Sequence, residues 1–162
     1  MVRLAALDLG SNSFHLLDAR CHENILYFGQ RVKEKVQLCA GLDVEHNLSQ
    51  TVINRGLDCL QRFHRHIEEQ NIQHLVAVGT STLRKAHNSM DFIQAAEDIL
   101  NIPIQVISGK EEARLIFRGV NHEIIEQGLG LVIDIGGGST EFAIGDKSQL
   151  NVTESLEMGC VS

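Results

Sequence analysis

The chain has no excess of basic residues. Its 162 residues hold 14 Lys and Arg against 21 Asp and Glu, for a formal charge of −7. No global field draws it to polyanions, which argues against general nucleic-acid binding through a basic face. Any phosphate it binds must be held by local backbone donors, a few cations and a metal. Cysteine is also thin. Cys21, Cys39, Cys59 and Cys160 include no Cys-x-x-Cys pair, so neither a zinc site nor a disulfide framework is suggested, and reduced thiols are expected. No apolar run approaches the ~18 residues of a membrane span. The N-terminus reads as a strand rather than a signal peptide. A soluble, cytoplasmic protein with no membrane partner is expected. Histidine is present eight times, but no His-x-x-x-His pair occurs. His64 and His66 are too close in sequence to share a helix face, so solvated histidines are expected rather than a histidine metal site.

What is present is one pattern written twice. Leu4 to Ser13 and Leu131 to Thr140 each read as an apolar run, an aspartate, one apolar residue, glycine and small polar residues. The run suits a buried strand. Glycine at its end lets the backbone turn sharply and come close to a ligand. Exposed N–H groups in such a turn form a concave anion site, and the aspartate can hold a divalent cation directly or through water.

Between the two copies the periodicity changes. Val2 to Leu7, Phe14 to Ala19 and Ile25 to Val36 read as an antiparallel meander. A helix capped by Ser49 follows, with Ile53, Leu57, Leu60, Phe63 and Ile67 inward. Then come a strand over Leu75 to Val78, a helix capped by Ser89, an exit at Pro103, a strand over Ile104 to Ile107, and a helix after Ser108 running through Val120. The order βββ-α-β-α-β-α implies a mixed α/β fold with helices covering a mixed sheet. From Leu131 the strands restart as Leu131 to Asp134, Glu141 to Ile144 and Gln149 to Ser155. This is an internal duplication whose second copy stops after its third strand. The expected division is a first lobe over 1–123 and the beginning of a second over 124–162.

Four motifs occur in order: Asp8-Leu9-Gly10-Ser11-Asn12-Ser13, Gly79-Thr80-Ser81-Thr82-Leu83-Arg84, Ser108-Gly109-Lys110-Glu111-Glu112-Ala113-Arg114 and Asp134-Ile135-Gly136-Gly137-Gly138-Ser139-Thr140-Glu141. With the ending Met158-Gly159-Cys160-Val161-Ser162, they resemble the exopolyphosphatase / guanosine pentaphosphate phosphohydrolase (Ppx/GppA) family across essentially the whole chain. The resemblance implies ribonuclease-H-like lobes of the actin-like, sugar-kinase and chaperone-ATPase fold. It also implies a homodimer for the full-length protein, with polyphosphate or guanosine pentaphosphate as partner.

The resemblance puts the catalytic glutamate at Glu112. Ser108 and Glu111 fit a capping box, which accounts for Glu111, while Glu112 points about 100° further round the helix. From the residues alone, a solvated helix-face carboxylate is the favoured reading of Glu112, and the resemblance reverses it. Asp8 and Asp134 are candidates for metal and water positioning; the alternative is a local turn hydrogen bond at a strand end. Glu141 resembles the family's acidic residue near a Mg²⁺ ion, or else is an exposed strand residue. Gly10, Ser11, Asn12 and Ser13 form one candidate phosphate loop, and Gly136, Gly137, Gly138, Ser139 and Thr140 the other; ordinary hairpin turns are the alternative. Thr80, Ser81 and Thr82 fall at a strand-to-helix junction. Arg84 is a candidate bidentate phosphate ligand, or else a surface arginine.

These candidates imply a phosphohydrolase that releases the terminal phosphate of polyphosphate, or the 5′-γ-phosphate of guanosine pentaphosphate. Two rivals remain at this stage. One is an ATP-dependent kinase or ATPase of the same fold. The other is a non-catalytic polyphosphate-binding chain that self-associates through its uncovered second sheet.

Overall fold

A computed structural model of the chain describes residues 1–123 and 128–161. Strands form at the apolar runs identified above. β1 (Val2–Leu9), β2 (Ser13–His22) and β3 (Ile25–Lys35) make the antiparallel meander, while β4 (His74–Gly79) and β5 (Ile104–Val106) run parallel to β1. The sheet order is β3-β2-β1-β4-β5. Parallel neighbours need crossovers. α1 (Gln50–Glu69) supplies the first, and α2 (Ser81–Lys85) with α3 (Ser89–Leu100) supplies the second.

Alternation decides which side of the sheet is core. Ala5, Leu7 and Leu9 of β1 are buried with Phe14 and Leu16 of β2. They meet Ile53, Leu60, Phe63 and Ile67 of α1 and Phe92, Ile93 and Ala96 of α3 in one cluster. The helical spacing of those residues puts them on one stripe of each helix. Ser49 stands at the N-cap position of α1, but its hydroxyl makes no capping hydrogen bond; its carbonyl accepts from the Val52 and Ile53 N–H groups instead. The α3 cap differs from expectation. Asn88 occupies it and Ser89 is the first helical residue. The Asn88 amide instead grips Leu48, accepting from its N–H at 2.7 Å and donating to its carbonyl at 3.0 Å. Asn101, left-handed at φ 55°, ends the helix just before Pro103. Cys59 lies in the core beside Glu34, and burial pushes its thiol up to about 12, consistent with an inert reduced side chain.

The chain divides into two compact units, Met1–Val106 and Ile107–Ser162. The expected lobe boundary at 123/124 falls at the edge of 124–127, which lie outside the described residues. Packing groups α4 (Gly109–Glu123) with the second sheet, because Ala113 and Phe117 bury against Ala143, Val132 and Leu150. That sheet is the antiparallel meander β6 (Gly130–Ile135), β7 (Thr140–Gly145) and β8 (Leu150–Leu156). Its other face leaves Leu131, Ile133, Ile135, Val152 and Leu156 exposed.

Candidate functional site

In the first unit, Leu9 of β1 pairs with Gly79 of β4. The loop Gly10–Ser13 therefore stands beside the start of α2, at the carboxyl ends of two parallel strands. Ligands in open α/β sheets bind outside such ends. Ser11 and Ser13 are buried, and so are Thr80, Ser81 and Thr82. The Ser11 hydroxyl is already engaged, accepting from the Thr82 N–H at 3.1 Å. The bond ties the two segments together and leaves the hydroxyl its own proton to donate. The loop's carbonyls are held from behind. The Asn12 carbonyl accepts from the Val36 and Gln37 N–H groups at 3.1 and 2.8 Å, and the Ser11 carbonyl accepts from Cys39 N–H at 3.1 Å. The Asn12 side-chain oxygen is buried with no hydrogen-bond partner. Asp8 is half-buried on the sheet face opposite Leu7 and Leu9, and Arg84 is half-buried in the last turn of α2.

In the second unit, β6 and β7 are joined by the loop 136–139, closed by a hydrogen bond from Gly136 N–H to the Ser139 carbonyl at 2.9 Å. Ser139 and Thr140 are buried. The Thr140 hydroxyl donates to the Met158 carbonyl, so it too serves the scaffold. Asp134 and Glu141 are paired in register across β6 and β7, on the same face of the sheet.

Glu141 is 1% exposed, which removes the alternative of an exposed strand residue. One carboxylate oxygen accepts from the Ser155 hydroxyl at 2.8 Å, and the other is buried with no partner. Like charges directly opposite each other on neighbouring strands are unfavourable. A divalent cation would turn that repulsion into ligation, and the orphaned Glu141 oxygen is a donor atom suited to it. No cluster of three or more His, Cys, Asp or Glu residues that could hold a metal occurs among the described residues. Mg²⁺ does not require one, since it is commonly held by one or two carboxylates, waters and substrate phosphates. The residues therefore fit a Mg²⁺ ion.

α4 begins beside this sheet. Ser108 caps it, its hydroxyl accepting from Glu111 N–H at 3.2 Å. The reciprocal half of the expected capping box is not formed. Glu111 instead grips Arg114 through two contacts of 2.7 and 2.6 Å, and that guanidinium holds its carboxyl below the usual range. Glu112 follows, half-buried and next to the buried Ala113.

Sequence reasoning missed two contributors to this site. Ser155 is one, and its signal was its register opposite Glu141. Gly159 is the other. A Cβ there would run into the Gly137 carbonyl and the Gly138 nitrogen.

Residues 19–162 match the family model for the Ppx/GppA phosphatase family. Among solved structures, the exopolyphosphatase from Cytophaga hutchinsonii is 35% identical, with TM-score 0.92 over 97% of this chain and 51% of that one. The Ppx/GppA family member from Aquifex aeolicus is 25% identical, with TM-score 0.85 over 98% of this chain and 52% of that one. The ethanolamine utilization protein EutJ from Carboxydothermus hydrogenoformans, 14% identical with TM-score 0.54, shares the fold alone. The chain spans about half the length of these structures. Its fold is the α/β ribonuclease-H-like fold of the actin-like ATPases.

Proposed function

This chain belongs to the Ppx/GppA phosphatase family, and we propose that it carries the catalytic half of a phosphohydrolase that removes the terminal phosphate from inorganic polyphosphate or the 5′-γ-phosphate from guanosine pentaphosphate. The observation that carries the reading is Glu141, a fully buried carboxylate facing Asp134 beside a triple-glycine loop, with one oxygen left without a partner. A structural role alone gives such a group no reason to persist, because an unsatisfied buried carboxylate is costly.

In this reading Asp134 and Glu141 hold Mg²⁺ in the second unit, and Asp8 is a candidate ligand within the first. When bound, the ion neutralises phosphate oxygens and lowers the charge barrier to attack. Each unit has its own loop for phosphate oxygens, Gly10–Ser13 in the first and 136–139 in the second, which would bind them through backbone N–H groups. The Ser11 and Thr140 hydroxyls hold those loops in place through their bonds to Thr82 and Met158. Arg84 pairs with terminal phosphate oxygens. Glu112 takes a proton from the attacking water as its oxygen bonds to the terminal phosphorus. The anhydride P–O bond breaks, and the shortened chain leaves with its bridging oxygen. Positioning and charge stabilisation supply most of the rate in such transfers.

The test is phosphate release from long-chain polyphosphate and from guanosine pentaphosphate in the presence of Mg²⁺. Glu112→Gln is expected to cut turnover by about 10²–10⁴-fold, the usual worth of a general base, while polyphosphate affinity stays near that of the parent. Equal turnover in parent and variant would remove Glu112 from the role. Release from guanosine pentaphosphate alone would assign the narrower substrate.

A further inference from the structure

Asp134, Glu141 and Ser155 form one row across the second sheet. Asp134 pairs in register with Glu141, and Glu141 with Ser155. Residues directly opposite one another in a sheet share a face. Ala143, two residues on from Glu141 and so on the same face, packs against Ala113 and Phe117 of α4. The central carboxylate therefore has an acidic neighbour on one strand and a hydroxyl on the other.

That hydroxyl divides the two oxygens of Glu141. Oε1 accepts from the Ser155 hydroxyl at 2.8 Å, an ordinary length for such a bond. Oε2 is buried without a partner. Glu141 as a whole is 1% exposed, so neither oxygen is supplied by bulk water. The last torsion of a glutamate is otherwise broad, and a hydrogen bond at its tip narrows it. Held at Oε1, the carboxylate has Oε2 left to give to a ligand.

Such a restriction discriminates between cations. Ca²⁺ gathers about 6–8 oxygens in flexible geometry and often takes both oxygens of one carboxylate. Mg²⁺ is smaller, demands a near-ideal octahedron and keeps several waters, so one or two carboxylates suffice for it. A glutamate fixed to offer one oxygen suits the second ion better than the first.

We propose that Ser155 sets the cation preference of this site, its hydroxyl holding Glu141 to one-oxygen ligation and so favouring Mg²⁺ over Ca²⁺. The inference rests on the reading of Asp134 and Glu141 as the metal-holding pair. Ser155 acts through Glu141 and is a positioning residue. A serine that merely joined β7 to β8 would stabilise the unit without changing the ratio of two affinities.

The experiment uses the full chain without substrate. Mg²⁺ and Ca²⁺ are titrated separately by calorimetry, and the melting temperature is read in each ion. Partners of a metal ligand are commonly worth about 10–100-fold in affinity. In Ser155→Ala the Kd for Mg²⁺ should rise within that range while the Kd for Ca²⁺ changes less, so that the preference for Mg²⁺ falls about tenfold. Ser155→Thr keeps a hydroxyl and should hold the parental preference. Ser155→Val, which differs from it by a methyl in place of that hydroxyl, should match Ser155→Ala. An equal loss for both ions in Ser155→Ala, with the preference unmoved, would overturn the proposal and leave the metal pair standing. Equal preferences in Ser155→Thr and Ser155→Val would overturn it too, since the hydroxyl would then have no part. A parent that binds neither ion would remove the metal pair itself, and the proposal with it.

Discussion

The two loops differ less than the units that carry them. Both close over four residues, between Leu9 and Phe14 in the first unit and between Ile135 and Thr140 in the second. Both begin with a glycine pressed against the carbonyl three residues on: a Cβ would lie 2.8 Å from the Ser13 carbonyl in one and 3.1 Å from the Ser139 carbonyl in the other. Both are held by N–H groups arriving after a third strand. Beneath the first loop lies a broad core of two helices on five strands. Beneath the second lie Ala113, Phe117 and Ala143 as the fully buried apolar residues. The backbone geometry that can bind phosphate is thus independent of core depth. The carboxylates are not shared equally either. Asp8 has no cross-strand acidic partner, since it pairs with His15, whereas Asp134 faces Glu141.

The largest test of this contrast is in the cores. Phe63→Ala should cost the first unit about 3–5 kcal/mol, read by urea denaturation. Leu131→Ser on the exposed face of the second sheet should stay within about 0.5 kcal/mol. A comparable loss from both would mean that the second face is covered in solution.

Next in size is the acidic pair. Glu141→Gln removes one of two facing charges, so the metal-free variant should melt above the parent. The parent should gain thermal stability on adding Mg²⁺, and the variant should gain little. A parent whose melting ignores Mg²⁺ would detach the ion from this pair.

Smallest is the ion pair between Glu34 on β3 and Arg62 on α1, whose contacts run from 2.5 to 3.1 Å. The Arg62 hydrogen bonds hold the Glu34 carboxyl below its ordinary value. A lowered carboxylate contributes stability above its unfolded value, and that stability is lost as pH falls through the folded one. Both side chains are partly exposed, so the contribution should be at most about 1 kcal/mol. A double-mutant cycle with Glu34→Gln and Arg62→Gln should show coupling at pH 7 that fades as acid protonates the lowered Glu34 carboxyl. Coupling that is the same for the ionised and the protonated Glu34 carboxyl would contradict the assignment. The pair Lys110–Glu154 in the second unit is more exposed and should couple less.

Strands were legible in the sequence because apolar runs between glycines are local signals, and every expected strand lies within a residue or a few of its observed span. The repeated Asp-x-Gly pattern located both loops for the same reason. The burial of Glu141 was less visible. An acidic residue at a strand start reads as exposed, although alternation with Ala143 placed it on the packed face. The α3 cap fell to Asn88 rather than Ser89 because a contact with Leu48, forty residues away, decided it. The grip on the loops left no side-chain signal, since backbone N–H groups make it and every residue but proline has one. Only Gly159, where a side chain is forbidden, marks it.

That grip makes the third strand a ruler. From Thr140 pairing with Leu156, a fixed count of residues delivers the Cys160 and Val161 N–H groups to the Gly136 and Gly137 carbonyls. One residue inserted in β8 would shift the count by about 3.4 Å and turn each side chain to the opposite face. The donors would then arrive where no carbonyl waits. Length in β8, and likewise in β3, is therefore information that the loops read.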